Sequence, residues 1–91
     1  MDKLAKKLAI KNKLGLHARA AALLVQTVNR FDAEVTISKD GQSVDGRSIM
    51  GVLTLAATRG SEIEVAAKGK QAEEAIRAVE KLVAKKFFES E

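Results

Sequence analysis

The chain has 91 residues, 46% of them hydrophobic and 31% charged, with one histidine, three phenylalanines and no cysteine, proline, tryptophan or tyrosine. Without cysteine there is neither a disulfide framework nor a thiolate metal site, and a single histidine leaves a metal ion only carboxylates, so no metal centre is expected. The length suits one domain over 1–91 with one core; no apolar stretch nears the ~18 residues that cross a membrane, and no apolar run follows the charged N-terminus as a secretion signal requires, so a cytoplasmic protein is expected.

The net charge of +4 is uneven: residues 1–19 carry Lys3, Lys6, Lys7, Lys11, Lys13 and Arg19 against Asp2 alone, giving +5, and the other 72 residues sum to −1. Positive charge in that place speeds encounter with an acidic partner or an anionic ligand. Lys3, Lys6 and Lys7 equally suit a strand edge guarded by lysine.

In chain order, Leu4, Leu8 and Ile10 share one face of an extended segment, with Lys7, Ala9 and Lys11 on the other. Residues 18–30 hold helix formers and no breaker, and Leu23, Leu24, Val28 and Phe31 are placed to meet a core. Ala33, Val35 and Ile37 alternate with Glu34, Thr36 and Ser38 as a half-buried strand. Asp40-Gly41 predicts a tight hairpin, because glycine tolerates the positive φ that the turn demands, and Gln42 to Asp45 is the returning strand. Residues 48–55 predict a short helix with Ile49, Val52 and Leu53 on one side, capped by Ser48 for about 1 kcal/mol over alanine. Ile63, Val65 and Ala67 form a fourth strand that Gly69 ends, and residues 71–86 a final helix with Ala72, Ile76, Val79 and Val83 on one stripe. The order β-α-β-β-α-β-α is of the α+β class, in which a sheet apolar on one side is covered there by three amphipathic helices.

His17 sits in Leu14-Gly15-Leu16-His17-Ala18-Arg19, at or just before the first turn of the first helix. A helix start carries unpaired N–H groups and the positive end of the dipole, and so attracts anions. A neutral imidazole there is a nucleophile, and phosphoryl transfer asks mainly for positioning and for stabilisation of charge on the oxygens. The backbone N–H groups of Ala18 and Arg19 can bind those oxygens, and the Arg19 guanidinium can pair with them for roughly 1.5–3 kcal/mol. Gly15 is expected to let the backbone turn sharply and to keep bulk away from a partner. Gly69-Lys70-Gln71 lacks the upstream glycine and the hydroxyl residue of a P-loop, so the phosphoryl group must come from a partner. Taken alone, His17 also reads as a capping or solvated histidine, and Arg19 as a surface arginine. Spacing leaves a Ser48–His17–Asp45 hydrolase open, without a nucleophile elbow to support it. Basic charge and mixed topology suggest a small RNA-binding module as a rival, against which Phe31, Phe87 and Phe88 all fall outside the predicted strands.

Leu14-Gly15-Leu16-His17-Ala18-Arg19, followed by Ser48-Ile49-Met50-Gly51-Val52, resembles the HPr family of histidine phosphocarriers of the bacterial phosphotransferase system, over essentially the whole chain. The resemblance implies an open-faced β-sandwich, a four-stranded antiparallel sheet with three helices on one face. It implies a carrier rather than an enzyme, with no cofactor, that accepts a phosphoryl group on His17 Nδ1 from phosphorylated enzyme I and passes it to the A-domain of a sugar-specific enzyme II. Ala18, Ala22, Arg47, Ile49, Met50, Leu53 and Thr54 become the docking surface, where methionine offers adaptable contacts, although Leu53 also suits the core. Some family members take a regulatory phosphate at the serine matching Ser48, which brings in a kinase or phosphorylase and a transcriptional regulator as further partners. The expected state is a monomer that forms brief complexes, with neither nucleic acid nor membrane insertion. A nitrogen-branch or mainly regulatory carrier is the alternative within the family. One departure is Ala20, where the family usually has proline; alanine predicts a looser first turn.

Overall fold

The computed structural model describes residues 3–89. Strand alternation builds a four-stranded sheet from β1 (Leu4–Ala9), β2 (Glu34–Lys39), β3 (Gln42–Asp45) and β4 (Glu62–Lys68). The order is β1-β4-β2-β3, and every neighbouring pair is antiparallel. Register places Lys6, Val65, Ile37 and Val44 in one row across the sheet, and Leu4, Ala67 and Val35 in another on the same face. Because side chains alternate along a strand, the row between them, Ala5, Ala66, Thr36 and Asp45, faces the other way. The hairpin between β2 and β3 forms as Asp40-Gly41 predicts: both residues have positive φ, 51° and 83°, which a two-residue turn of this hand requires.

Three helices cover one face of the sheet: α1 (Ala18–Val28), α2 (Ile49–Thr54) and α3 (Ala72–Ala84). The last of them packs over β1 and β4 and against α1, which in turn meets α2. The stripe of α3 is the expected one, with Ala75 and Leu82 buried beside Ala72, Ile76, Val79 and Val83. In α1 the buried face is Ala20, Ala21, Leu24, Val25 and Val28, while Leu23, and Phe31 beyond the helix end, are only half-buried. The alanines let α1 lie close to its neighbours, which moves the contact line toward the small residues. On α2, Val52 and the following Leu55 are in the core, Leu53 is half-buried against it, and Ile49, which shares their predicted side but was also placed on the docking surface, is 41% exposed. No helix among the described residues is long and apolar enough to cross a membrane.

The basic stretch of the sequence does not become one surface. Lys6 lies on the helix side of β1 and pairs with Glu80 of α3 at 2.5 Å. Lys7 lies on the open face, in the same row as Glu64 of β4. These lysines serve the edge strand, and neither joins an ion pair with the His17 region.

After α3 the chain makes a left-handed turn over Lys86–Phe88, with φ of 57°, 54° and 61° at three successive residues. For L-residues that conformation costs about 1–2 kcal/mol each. Phe87 is fully buried, an offset of about 1.5–3 kcal/mol, and the Phe88 and Glu89 N–H groups donate to the carbonyls of Lys85 and Lys86, each at 3.0 Å. The turn brings Glu89 back to the beginning of α1.

Candidate functional site

Two connections hold the start of α1 in place. Ile10 donates to Ser61 O at 2.9 Å, Gly60 donates to Ile10 O at 2.8 Å, and Leu16 donates to Ala57 O at 2.9 Å. The segment entering α1 is thereby tied to the one entering β4, and the buried Leu16 anchors the residue before His17. Gly15 has φ +66°, and a Cβ there would collide with the Ala57 carbonyl oxygen and lie 3.0 Å from Thr58 Cα. Its small size serves an approach between two backbone segments of this chain, which corrects the expectation that it clears space for a partner.

His17 is the N-cap of α1, with φ −75° and ψ −179°, and its carbonyl accepts from Ala21 N–H at 2.8 Å. Its side chain makes no capping bond. The Ala18 and Arg19 N–H groups therefore open the helix without an intrahelical acceptor, the condition for anion binding at a helix start. The imidazole turns instead to Glu89: Nε2 is hydrogen-bonded to Glu89 Oε2, with the two side chains 27% and 15% exposed. The other carboxylate oxygen accepts from Asn12 Nδ2 at 3.0 Å, and the same amide donates to Gly15 O at 2.8 Å. Asn12 is fully buried, and its Oδ1 has no partner among the described residues.

The ring beside it holds the Glu89 carboxyl below the usual carboxylate range, with the Asn12 amide and the charge of Arg19 adding to the effect and burial opposing it. An ionised carboxylate only accepts hydrogen bonds, so Nε2 carries the proton. In the neutral ring this leaves the lone pair on Nδ1. Glu89 and Asn12 were not among the residues singled out from the sequence. The signal available for Glu89 was the pair Phe87-Phe88 after a polar helix end, which marks a tail that still has apolar surface to bury. For Asn12 it was an uncharged polar residue between Lys11 and Lys13 in the segment that leads to the histidine.

The remaining predicted residues fall in two places. Arg19 and Ala18 are exposed and Ala22 half-exposed on α1, with Met50 71% exposed on the neighbouring α2. Leu14, 65% exposed before His17, is a further apolar side chain that sequence reasoning left out. Arg47 is exposed, but its guanidinium donates to Asn29 Oδ1 at 3.0 Å and Phe31 O at 3.2 Å, so it ties the end of α1 to the turn before α2. Thr54 donates to Gly51 O at 2.6 Å and accepts from Gln42 Nε2 at 3.2 Å. Ser48 caps α2 as expected, its Oγ accepting from Gly51 N–H at 2.9 Å. The hydrolase trio is not assembled: Ser48 is used by its own helix, Asp45 Oδ1 accepts from Arg47 N–H at 2.9 Å, and His17 is bonded to Glu89. Nor do the strands offer a stacking platform for bases, since none of them carries an aromatic residue.

Comparison with known proteins identifies the family. Residues 4–85 match the family described as the PTS HPr component phosphorylation site. The phosphocarrier protein HPr of Xylella fastidiosa (strain Temecula1) is 45% identical over 82 residues, which cover 90% of this chain and 92% of that protein. Among solved structures, HPr-C-His from Thermoanaerobacter tengcongensis superimposes with a TM-score of 0.91 at 41% identity over 100% of both chains. The phosphocarrier protein HPr of Bacillus anthracis gives 0.86 at 44% identity over 89% of this chain and 96% of that one. An open-faced sheet, a histidine capping the first helix and a family match that spans both motifs lead to one conclusion: the chain belongs to the HPr family, the phosphocarriers of the phosphotransferase system.

Proposed function

We propose that the chain accepts a phosphoryl group on His17 Nδ1 from phosphorylated enzyme I and hands it to the A-domain of a sugar-specific enzyme II. The observation that carries this reading is the engagement of Nε2 by Glu89, which leaves Nδ1 as the free nucleophile on a residue that caps a helix without using its side chain. In the transfer, the Nδ1 lone pair forms the new N–P bond. The bond from phosphorus to the donor breaks, and its electron pair stays on the donor. The Ala18 and Arg19 N–H groups and the Arg19 guanidinium meet the charge on the phosphoryl oxygens. The protein ends each cycle as it began and acts stoichiometrically.

The docking surface in this reading is Ala18 and Ala22 with Ile49, Met50, Leu53 and Thr54, rimmed by Arg47. Exposed Met50 at its centre suits a carrier that meets more than one partner. Ser48 is its regulatory position. A phosphate there takes over the Gly51 N–H and sets negative charge next to Ile49 and Met50, which repels an acidic partner.

The test is to mix the protein with phosphoenolpyruvate and a matching enzyme I and to look for an acid-labile, base-stable phosphoryl adduct. His17→Ala is expected to abolish it. An adduct that persists in that variant overturns the assignment.

A further inference from the structure

The family match ends at residue 85, and Glu89 lies beyond it, 72 positions from the histidine it touches. Three features of the tail converge on this contact. Phe87, fully buried, pins the turn; three successive residues accept a left-handed backbone; and both oxygens of the Glu89 carboxylate are used, one by His17 Nε2 and one by the buried amide of Asn12. Asn12 is held in turn by Gly15 O at 2.8 Å, so the carboxylate is oriented by the same loop that delivers His17.

We infer that Glu89 is a positioning residue for phosphoryl transfer: it holds His17 in the Nε2–H tautomer and balances the positive charge that the ring acquires when Nδ1 takes the phosphoryl group. The inference rests on His17 being the carrier residue. When the Nδ1 lone pair bonds to phosphorus, Nε2 keeps its proton and the ring becomes a phosphoimidazolium. Its positive charge then faces the Glu89 carboxylate through the Nε2–H bond. When the group leaves, the N–P electron pair returns to Nδ1 and the ring is neutral again, still in the reactive tautomer. No proton has to enter or leave the site in either direction. A carboxylate that orients an imidazole and stabilises its cation is a known route to large rate effects.

The substitution Glu89→Gln separates this role from simple packing. Asn12 presents an N–H₂ group to the side chain, so the new amide turns its oxygen to Asn12 and its own N–H₂ to His17 Nε2. That favours the Nδ1–H tautomer and removes the nucleophilic lone pair from Nδ1. Ring ¹⁵N shifts of the unphosphorylated protein are expected to report Nε2–H in the wild type and a move toward Nδ1–H in Glu89→Gln. Phosphorylation by phospho-enzyme I is expected to slow by about tenfold to a hundredfold, the worth of one charge-assisted hydrogen bond. Glu89→Asp, which keeps the charge, is expected to recover part of the rate. Glu73→Gln is the control, removing the same charge from an exposed i,i+4 pair with Arg77 on α3. A wild-type tautomer and rate in Glu89→Gln overturns the inference, and so does a faster rate, which makes the carboxylate an obstruction. The tautomer measurement needs no phosphoryl donor. A wild-type protein that shows Nε2–H yet takes no phosphoryl group on His17 therefore overturns the carrier assignment, and with it the role in transfer, while leaving the contact standing.

Discussion

The starts of α1 and α2 are built to the same backbone plan and finished in opposite ways. Each N-cap residue is extended, and the carbonyl of each accepts the first helical bond, His17 O from Ala21 N–H at 2.8 Å and Ser48 O from Val52 N–H at 2.9 Å. Neither helix has an acidic residue in its first turn. At α2 the Ser48 hydroxyl turns inward and accepts from Gly51 N–H. At α1 the His17 ring turns away to Glu89, and the N–H groups behind it keep their capacity for another acceptor. One helix start is completed by its own side chain. The other gives up about 1 kcal/mol of capping and leaves its first N–H groups without a side-chain acceptor, the condition for anion binding at a helix start.

Deleting each cap side chain gives the largest contrast. His17→Ala is expected to eliminate the phosphoryl adduct completely, whereas Ser48→Ala leaves its formation intact, as read by gel shift or mass spectrometry after reaction with enzyme I and phosphoenolpyruvate. Next, Arg19→Ala is expected to slow transfer by about tenfold to a hundredfold through loss of one charged hydrogen bond, with little change in thermal stability, since Arg19 is exposed. Third, Ser48→Ala is expected to cost about 1 kcal/mol, a fall in Tm of about 4–8 °C for a domain of this size, in a calorimetric scan. If Tm is unchanged, the two helix starts do not differ in the way described.

Acidification sharpens the comparison at α1 alone. The Glu89 carboxyl is held below its ordinary value of about 4.5, so between that value and the lower folded pKa the unfolded chain binds more protons than the native one. Stability contributed by the Glu89 contacts is therefore complete above about 4.5 and lost as the pH falls through the folded pKa. NMR shifts of Glu89 and Phe88 are expected to move in that range, while the Gly51 amide at the Ser48 cap, which has no ionisable partner, stays fixed. The smallest effect concerns Ala20. Without a proline in the first turn of α1, the Ala21 amide is expected to exchange faster than Val25 in mid-helix, and Ala20→Pro to close the difference. Equal protection of the two amides in the present chain counts against a looser turn.

Much of this contrast was legible in the residues. Ser48 before a short apolar run is a cap by residue type, and its bond to Gly51 follows from local geometry. The placement of His17 at a helix start also followed from the glycine before it and the alanine-rich run after it. What the ring does there was not legible, because its partner is 72 positions away and is reached only through a left-handed turn at residues that local preference argues against. Ile49 and Leu53 show the same limit on a smaller scale. Their spacing allowed either face of α2, and the packing of Val52 and Leu55 decided it.

The sequence by itself determined the elements and the chemistry at hand: the two-residue period of the strands, the 3.6-residue stripe of α3, the Asp40-Gly41 turn, and one imidazole followed by an arginine. These depend on neighbours a few positions apart, where side-chain direction and backbone preference act directly. Only the tertiary structure decided the strand order β1-β4-β2-β3, the diversion of Lys6 to Glu80 and of Lys7 to the open face, the backbone approach that demands glycine at 15, and the meeting of Glu89 with Asn12 and His17. Each of these joins segments far apart in the chain, and the joint burial of apolar side chains such as Phe87 selects among pairings that local preference leaves equal.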